Sequence, residues 1–200
     1  MELRKLNGVA EFQTRADGDD YIIEGYFAVF NSVYNIAPGM SEEIAPGAFT
    51  SSEGRDVRAL INHDTTLVLG RTTADTLELR QDDRGLWGRI KVNPNDRDAV
   101  NAYERVKRGD VTQCSIGFNI LSEDAENRED GGVHWVIRDL ELWEVSVCTF
   151  PAYEETEIAA RSSELVEIQK RKTEAWRAKM RSMLKGEENG IKSTDAPEED

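Results

Sequence analysis

From Val9 to Phe150 the chain is a succession of short strand-forming runs broken by Asp/Gly turn signals, a pattern that constrains it to a β-rich body. Val9 to Arg15 alternates weakly, and the run from Tyr21 to Phe30 is rich in aromatic and β-branched residues. Asp17-Gly18-Asp19-Asp20 lies between them, which predicts a hairpin. Val57 to Asn62 is a short strand. Thr76 to Arg80 and Leu86 to Val92 flank Asp82-Asp83-Arg84-Gly85, which predicts a second hairpin. Thr112 to Leu121 and Val133 to Phe150 are strand regions, separated by a polar stretch from Glu123 to Gly132 that reads as a loop or an extended hairpin tip. One helix interrupts this body. Asn95-Asp96 supplies the cap, Val100, Tyr103 and Val106 the apolar face, and Gly109 the stop after Arg108.

Charge divides the chain into three regimes. Residues 1–159 carry 30 acidic and 16 basic side chains, a net of -14. Residues 160–185 carry 3 acidic and 8 basic ones, a net of +5. Residues 186–200 carry 6 acidic residues and 1 basic, a net of -5. The expected organisation is a β domain over 1–159, a basic amphipathic helix over 160–185 and an acidic disordered tail over 186–200. Leu165, Ile168, Trp176, Met180 and Leu184 form the narrow apolar stripe of that helix. It reads as a surface helix packed on the body, as a docking segment for a partner or a second copy, or as a membrane-surface helix. An overall charge of -14 argues against a nucleic-acid binder. No apolar run is long enough to span a membrane, and Met1 to Leu6 lacks the apolar core of a signal peptide, so a cytoplasmic protein is expected. Cys114 and Cys148 make no disulfide framework, and with only two histidines no metal site is expected.

Three polar residues fall within strand-forming runs. His63 ends the run Leu60-Ile61-Asn62-His63-Asp64, where an apolar strand meets a polar loop. Ser115 lies in Cys114-Ser115-Ile116-Gly117-Phe118, where a nearby glycine permits close approach by a backbone. Glu144 lies in the run from Leu140 to Cys148, and period-2 alternation puts Leu140, Leu142, Glu144, Ser146 and Cys148 on one face. Each taken alone reads as an ordinary structural residue. Together they supply a nucleophile, a base and a group that orients the base. Cys114 has the opposite pleat parity to Ser115 and is expected to point away, whereas Cys148 shares a face with Glu144.

Five segments carry a resemblance, in order: Gly25-Tyr26-Phe27-Ala28-Val29-Phe30-Asn31, Glu43-Ile44-Ala45-Pro46-Gly47-Ala48-Phe49, Leu60-Ile61-Asn62-His63-Asp64, Ser115-Ile116-Gly117-Phe118, and Glu144 to Ala152. Over roughly residues 20–155 the chain resembles the prohead protease family of tailed bacteriophages, the HK97-type serine peptidases. The resemblance implies a closed or nearly closed antiparallel β-barrel flanked by helices, similar to the herpesvirus capsid-maturation proteases. It implies a serine endopeptidase that needs no cofactor. Such an enzyme cuts scaffold protein, or the scaffold-like arm of the major capsid protein, inside the immature capsid in the host cytoplasm, and commonly cuts itself. Residue by residue, His63 falls on the general base, Ser115 on the nucleophile and Glu144 on the third member, with Asp139, Glu141 and His134 as alternatives for that third place. The turn from Thr149 to Ala152 is the candidate source of oxyanion-binding amides. A homodimer is expected by analogy with the viral proteases, with no nucleic-acid or membrane partner. The competing expectation is a non-enzymatic assembly protein that keeps the barrel and binds scaffold or capsid.

Overall fold

The computed structural model describes residues 2–4, 12–17, 20–128, 131–149, 170–171 and 173–182. In chain order these form β1 (Glu2–Arg4), β2 (Gln13–Asp17), β3 (Asp20–Val29), β4 (Tyr34–Ala37), β5 (Met40–Ile44), β6 (Arg58–Ile61), β7 (Asp64–Arg71), β8 (Leu77–Gln81), β9 (Gly85–Val92), α1 (Arg97–Arg108), β10 (Gln113–Asn127) and β11 (Val133–Cys148). Residues 170–171 and 173–182 are helical and are termed α2.

Both acidic turns close the expected hairpins. Asp17 pairs with Asp20 at the end of the β2–β3 ladder, and β8 and β9 pair antiparallel around residues 82–84. The helix also has the expected ends. The Asp96 carboxylate accepts from the amides of Asp98 and Ala99, and Gly109 closes the last turn in a left-handed conformation (φ 85°). The inward face of α1 carries Ala99, Ala102, Tyr103 and Val106. Tyr103 stacks on Tyr21 of β3, with ring centroids 4.7 Å apart.

The strands form two sheets. One has the order β2-β3-β9-β8. The other runs β1-β10-β11-β5-β4, with β6 also on β11 and β7 on β6. A single apolar core draws on both, from Ile23, Phe27 and Ile90 in the first to Ile116, Phe118, Leu140 and Val145 in the second. No ladder among the described residues joins the sheets, so the closed barrel expected from the resemblance is not found. The larger sheet is also not purely antiparallel. β5 pairs in parallel with Val133 to Ile137 of β11, and β6 pairs in parallel with Glu144 to Val147 of the same strand. Two short strands thus share one edge of β11, end to end. The segment between them is tied to the gap, with Leu140 N–H donating to Ala48 O and Leu142 N–H to Ser52 Oγ.

The stretch from Glu123 to Gly132, read above as a loop or hairpin tip, continues β10 as far as Asn127 and so lengthens the β10–β11 hairpin. At the other end of the chain, α2 does not use the expected stripe. Trp176 is 57% and Met180 38% exposed, whereas Arg171 and Ala175 are buried. The Arg171 guanidinium pairs with Glu123 and Glu42 and lies over the Trp135 ring, 4.6 Å from its centroid. Leu165, Ile168, Leu184 and the acidic tail lie outside the described residues.

Candidate functional site

The imidazole of His63 is delivered by a turn with only two central residues. Ile61 pairs with Asp64 across the β6–β7 hairpin, leaving Asn62 and His63 at the tip. Both have left-handed backbones, φ 52° and 62°, the signature of a type I′ turn. Asparagine tolerates that region. A histidine there carries backbone strain of about 1–3 kcal/mol, and such strain persists only where the surroundings over-determine the conformation. The surroundings do so here. Asn62 N–H donates to Val147 O at 3.0 Å, and Thr149 N–H donates to Asn62 Oδ1 at 2.9 Å. His63 N–H donates to Ser146 Oγ at 3.2 Å. The hairpin tip is thereby pinned to the last residues of β11.

Glu144 owes its orientation to an irregularity. Gly117 pairs with Glu144, but the next residue, Phe118, pairs with Leu142, so Trp143 is the extra residue of a β-bulge. The bulge reverses the parity read from the sequence. Leu140 and Leu142 share the core face with Val145 and Val147, opposite Ile120, Phe118, Ile116 and Cys114. Glu144, Ser146 and Cys148 turn to the other face, opposite Gly117, Ser115 and Gln113. The expectation that Glu144 shares a face with two leucines is therefore corrected. Regular alternation does not survive an inserted residue.

On that face His63 and Glu144 are in direct contact. His63 Nδ1 lies 2.7 Å from Glu144 Oε1, with the imidazole 10% and the carboxylate 3% exposed. A carboxylate only accepts, so Nδ1 carries the proton and Nε2 is left as the basic nitrogen. The second carboxylate oxygen, Oε2, accepts from Ser146 Oγ at 2.6 Å. Gly117 leaves the space the carboxylate fills, since a Cβ there stands 2.5 Å from Oε1. Cys148 Sγ lies 3.9 Å from His63 Nε2.

Ser115 reaches the same face by register. It stands opposite Ser146 in the antiparallel ladder, with Glu144 and Cys148 as diagonal neighbours. Directly opposed Cβ atoms lie ~5 Å apart and diagonal ones within ~8 Å. Of the three residues that His63 contacts, Ser146 thus faces Ser115, and Glu144 and Cys148 flank it. Ser115 itself is fully buried. Cys114 points the other way, its Sγ 3.3 Å from Phe27 O in the core, and burial pushes its thiol well above the ordinary range.

The three alternatives to Glu144 lie elsewhere. Asp139 accepts from Ser51 Oγ at 2.8 Å, and Glu141 pairs with Arg55 and accepts from Asn119. His134 hydrogen-bonds Ser41 Oγ at 2.9 Å and lies 3.6 Å from Glu43. It sits ten residues along β11 from Glu144, ~33 Å at strand rise. Of the candidate oxyanion turn, the Thr149 amide is committed to Asn62, and residues 150–152 lie outside the described residues. Ser146 and the bulge at Trp143 are the parts of the site that sequence reasoning missed. The signals for Ser146 were its parity with Glu144 and its place in the segment from Glu144 to Ala152.

A family model described as Caudovirus prohead serine protease matches residues 10–171. A curated relative, the prohead protease of Enterobacteria phage HK97, is 32% identical over 157 residues, which is 76% of this chain and 65% of that protein. The chain thus matches somewhat under two thirds of that relative's length. No solved structure matches.

Proposed function

Because the chain belongs to the Caudovirus prohead serine protease family, we propose that it is a serine endopeptidase of prohead maturation, with Ser115 as nucleophile, His63 as general base and Glu144 as the group that orients the imidazole. The observation that carries this reading is the 2.7 Å contact between His63 Nδ1 and Glu144 Oε1, on the face that the β10–β11 register gives to Ser115.

In this mechanism Ser115 Oγ attacks the scissile carbonyl carbon as its proton passes to His63 Nε2. The carbonyl π pair moves onto oxygen. Collapse of the tetrahedral intermediate breaks the C–N bond, and the proton on Nε2 goes to the leaving amine. A water then repeats the sequence on the acyl-enzyme, with His63 again the base, and Ser115 regains its proton. Glu144 holds the Nδ1–H throughout and stabilises the imidazolium. The substrates in this reading are scaffold protein or the scaffold-like arm of the major capsid protein, and the chain itself.

Intact-mass spectrometry of wild type beside Ser115→Ala, each incubated with the capsid or scaffold protein of its phage, tests the reading. Discrete fragments with wild type alone support it. The expected loss in Ser115→Ala is roughly 10^6-fold, the size seen when a triad serine is removed. Fragments of equal yield from both proteins refute the assignment of Ser115. Cys148→Ala serves as the companion, and it is expected to leave the fragment masses unchanged.

A further inference from the structure

We infer that Ser146 is a positioning residue that locks the His63–Glu144 pair through one hydroxyl. The inference rests on the catalytic reading above and deepens it. Ser146 Oγ donates to Glu144 Oε2 at 2.6 Å and accepts from the His63 backbone amide at 3.2 Å. The residue is fully buried. One hydroxyl therefore fixes both partners of the His63–Glu144 contact, the carboxylate through its second oxygen and the imidazole through its own main chain.

The two contacts have separate consequences. Glu144 is buried, and a buried carboxylate oxygen deprived of its donor loses stabilisation of its charged form. With Ser146 in place, Oε2 is held and Oε1 faces Nδ1, so the carboxylate has one orientation rather than two. The second contact bears on the strained turn. His63 is held at φ 62°, and its amide hydrogen points into the sheet rather than to solvent because Ser146 Oγ receives it. Removing the hydroxyl orphans that donor and loosens the turn that aims Nε2. In this reading Ser146 takes no part in the bond-making steps. Its effect passes entirely through Glu144 and His63, and through Ser115 only in that Ser115 stands opposite it in the ladder.

Among the described contacts of this face, it is Ser146 that donates to Glu144 Oε2. Past Trp143 the side chains of β11 on the site face are Glu144, Ser146 and Cys148, and the residues facing them on β10 are Gly117, Ser115 and Gln113. Glycine supplies no donor. A thiol is a weak one, and Cys148 Sγ donates to Ser146 O at 3.8 Å.

The test uses the full chain as wild type, Ser146→Ala, Ser146→Thr and Ser146→Cys. Turnover of a peptide spanning a mapped cleavage site is followed against pH, together with the exchange-protected ring Nδ1–H resonance of His63 by NMR. Ser146→Ala is expected to lower kcat about 30-fold with KM within twofold, since a misplacement near 1 Å at a catalytic group costs ~10^2-fold. Its kcat profile against pH is expected to differ from that of wild type, because the carboxylate facing the general base has lost a donor. Its Nδ1–H resonance is expected to lose protection. Ser146→Thr, which keeps the hydroxyl, is expected to recover kcat to within fivefold of wild type. Ser146→Cys is nearly isosteric and a poor donor, and it stands in if the alanine variant does not fold. A lowered Tm with wild-type kcat, pH profile and Nδ1–H signal overturns the inference, because that is how a purely structural serine behaves. If wild type cuts nothing, the catalytic reading has failed separately. The NMR arm then decides alone, and an Nδ1–H resonance unchanged in the alanine variant overturns the role of Ser146.

Discussion

Adding a single methyl group at position 117 places a steric demand on the proposed catalytic pair. Gly117 pairs with Glu144 across the β10–β11 ladder, and a Cβ at 117 stands 2.5 Å from Oε1, 3.0 Å from Cγ and 3.1 Å from Cδ. Carbon and oxygen in contact sit near 3.4 Å or beyond, so Gly117→Ala obliges Oε1 to withdraw by about 1 Å. The His63 Nδ1 contact, 2.7 Å in the native arrangement, then lengthens toward the limit of a hydrogen bond. Withdrawal also presses Oε2 against Ser146, its 2.6 Å partner, so the carboxylate has no unhindered direction to move. Overpacking of this kind costs roughly 1–3 kcal/mol of stability. That corresponds to a Tm lower by roughly 3–10 °C for a chain of this size. The catalytic cost is larger, about 10^2-fold in kcat, from misorientation of the base. The assay is steady-state hydrolysis of a fluorogenic peptide built on a cleavage site mapped by mass spectrometry, with differential scanning calorimetry of the same samples. A folded Gly117→Ala variant with kcat within threefold of wild type refutes the reasoning, since it shows that Glu144 tolerates displacement.

Arg171→Ala removes the cation facing the buried Glu42 and the group stacked on Trp135; it is expected to destabilise the protein by ~3 kcal/mol in urea titration and to expose residues 173–182 to limited proteolysis. Cys114, whose thiol burial pushes well up, is expected to react with a thiol reagent at neutral pH only after denaturant unfolds the chain, which mass shifts report. Asp56 is held well below its ordinary value of 3.8, first by its hydrogen bonds from Arg71. Its folded pKa is depressed, so its contribution to stability is present above pH 3.8 and fades as the pH falls below it; the Tm gap between wild type and Asp56→Asn is expected to be open at pH 7 and to close in that acidic window.

Much of the fold was legible in the sequence where a local rule was strong. Asp96 and Gly109 bounded α1, and two Asp/Gly turns located two hairpins. β4, β5 and β7 were missed because their cues are tertiary. Met40-Ser41-Glu42-Glu43-Ile44 looks polar, yet Ser41 and Glu42 are fully buried, and Glu42 meets a cation supplied from residue 171. Asp64-Thr65-Thr66 likewise reads as loop, and becomes strand only because the Asn62–His63 turn sends the chain straight back along β6. At the site, residue types and family order singled out His63, Ser115 and Glu144 as candidates, and the structure puts His63 and Glu144 in contact. Their facing was not legible. It depends on one extra residue at Trp143, and no local composition marks that residue as the point where a strand changes parity. The helix α2 shows the same limit. Its apolar stripe was visible, but the buried side chains among its described residues are Ala175 and an arginine, Arg171, held by partners far away in sequence.

The parallel pairing of β6 with the end of β11 sets a schedule for biosynthesis. Ser115 and Glu144 sit on one antiparallel hairpin and meet as soon as its two strands pair, whereas His63 is 81 residues from Glu144 and arrives only when β6 docks on Glu144 to Val147. Loop-closure entropy makes such distant pairings the slow ones. A ribosome-bound chain has made its histidine long before the strand that aims it exists. Until Val147 has left the exit tunnel the imidazole has no carboxylate to orient it. In the proposed role, a nascent copy is thus harmless to the polypeptides beside it, and competence begins only with β11.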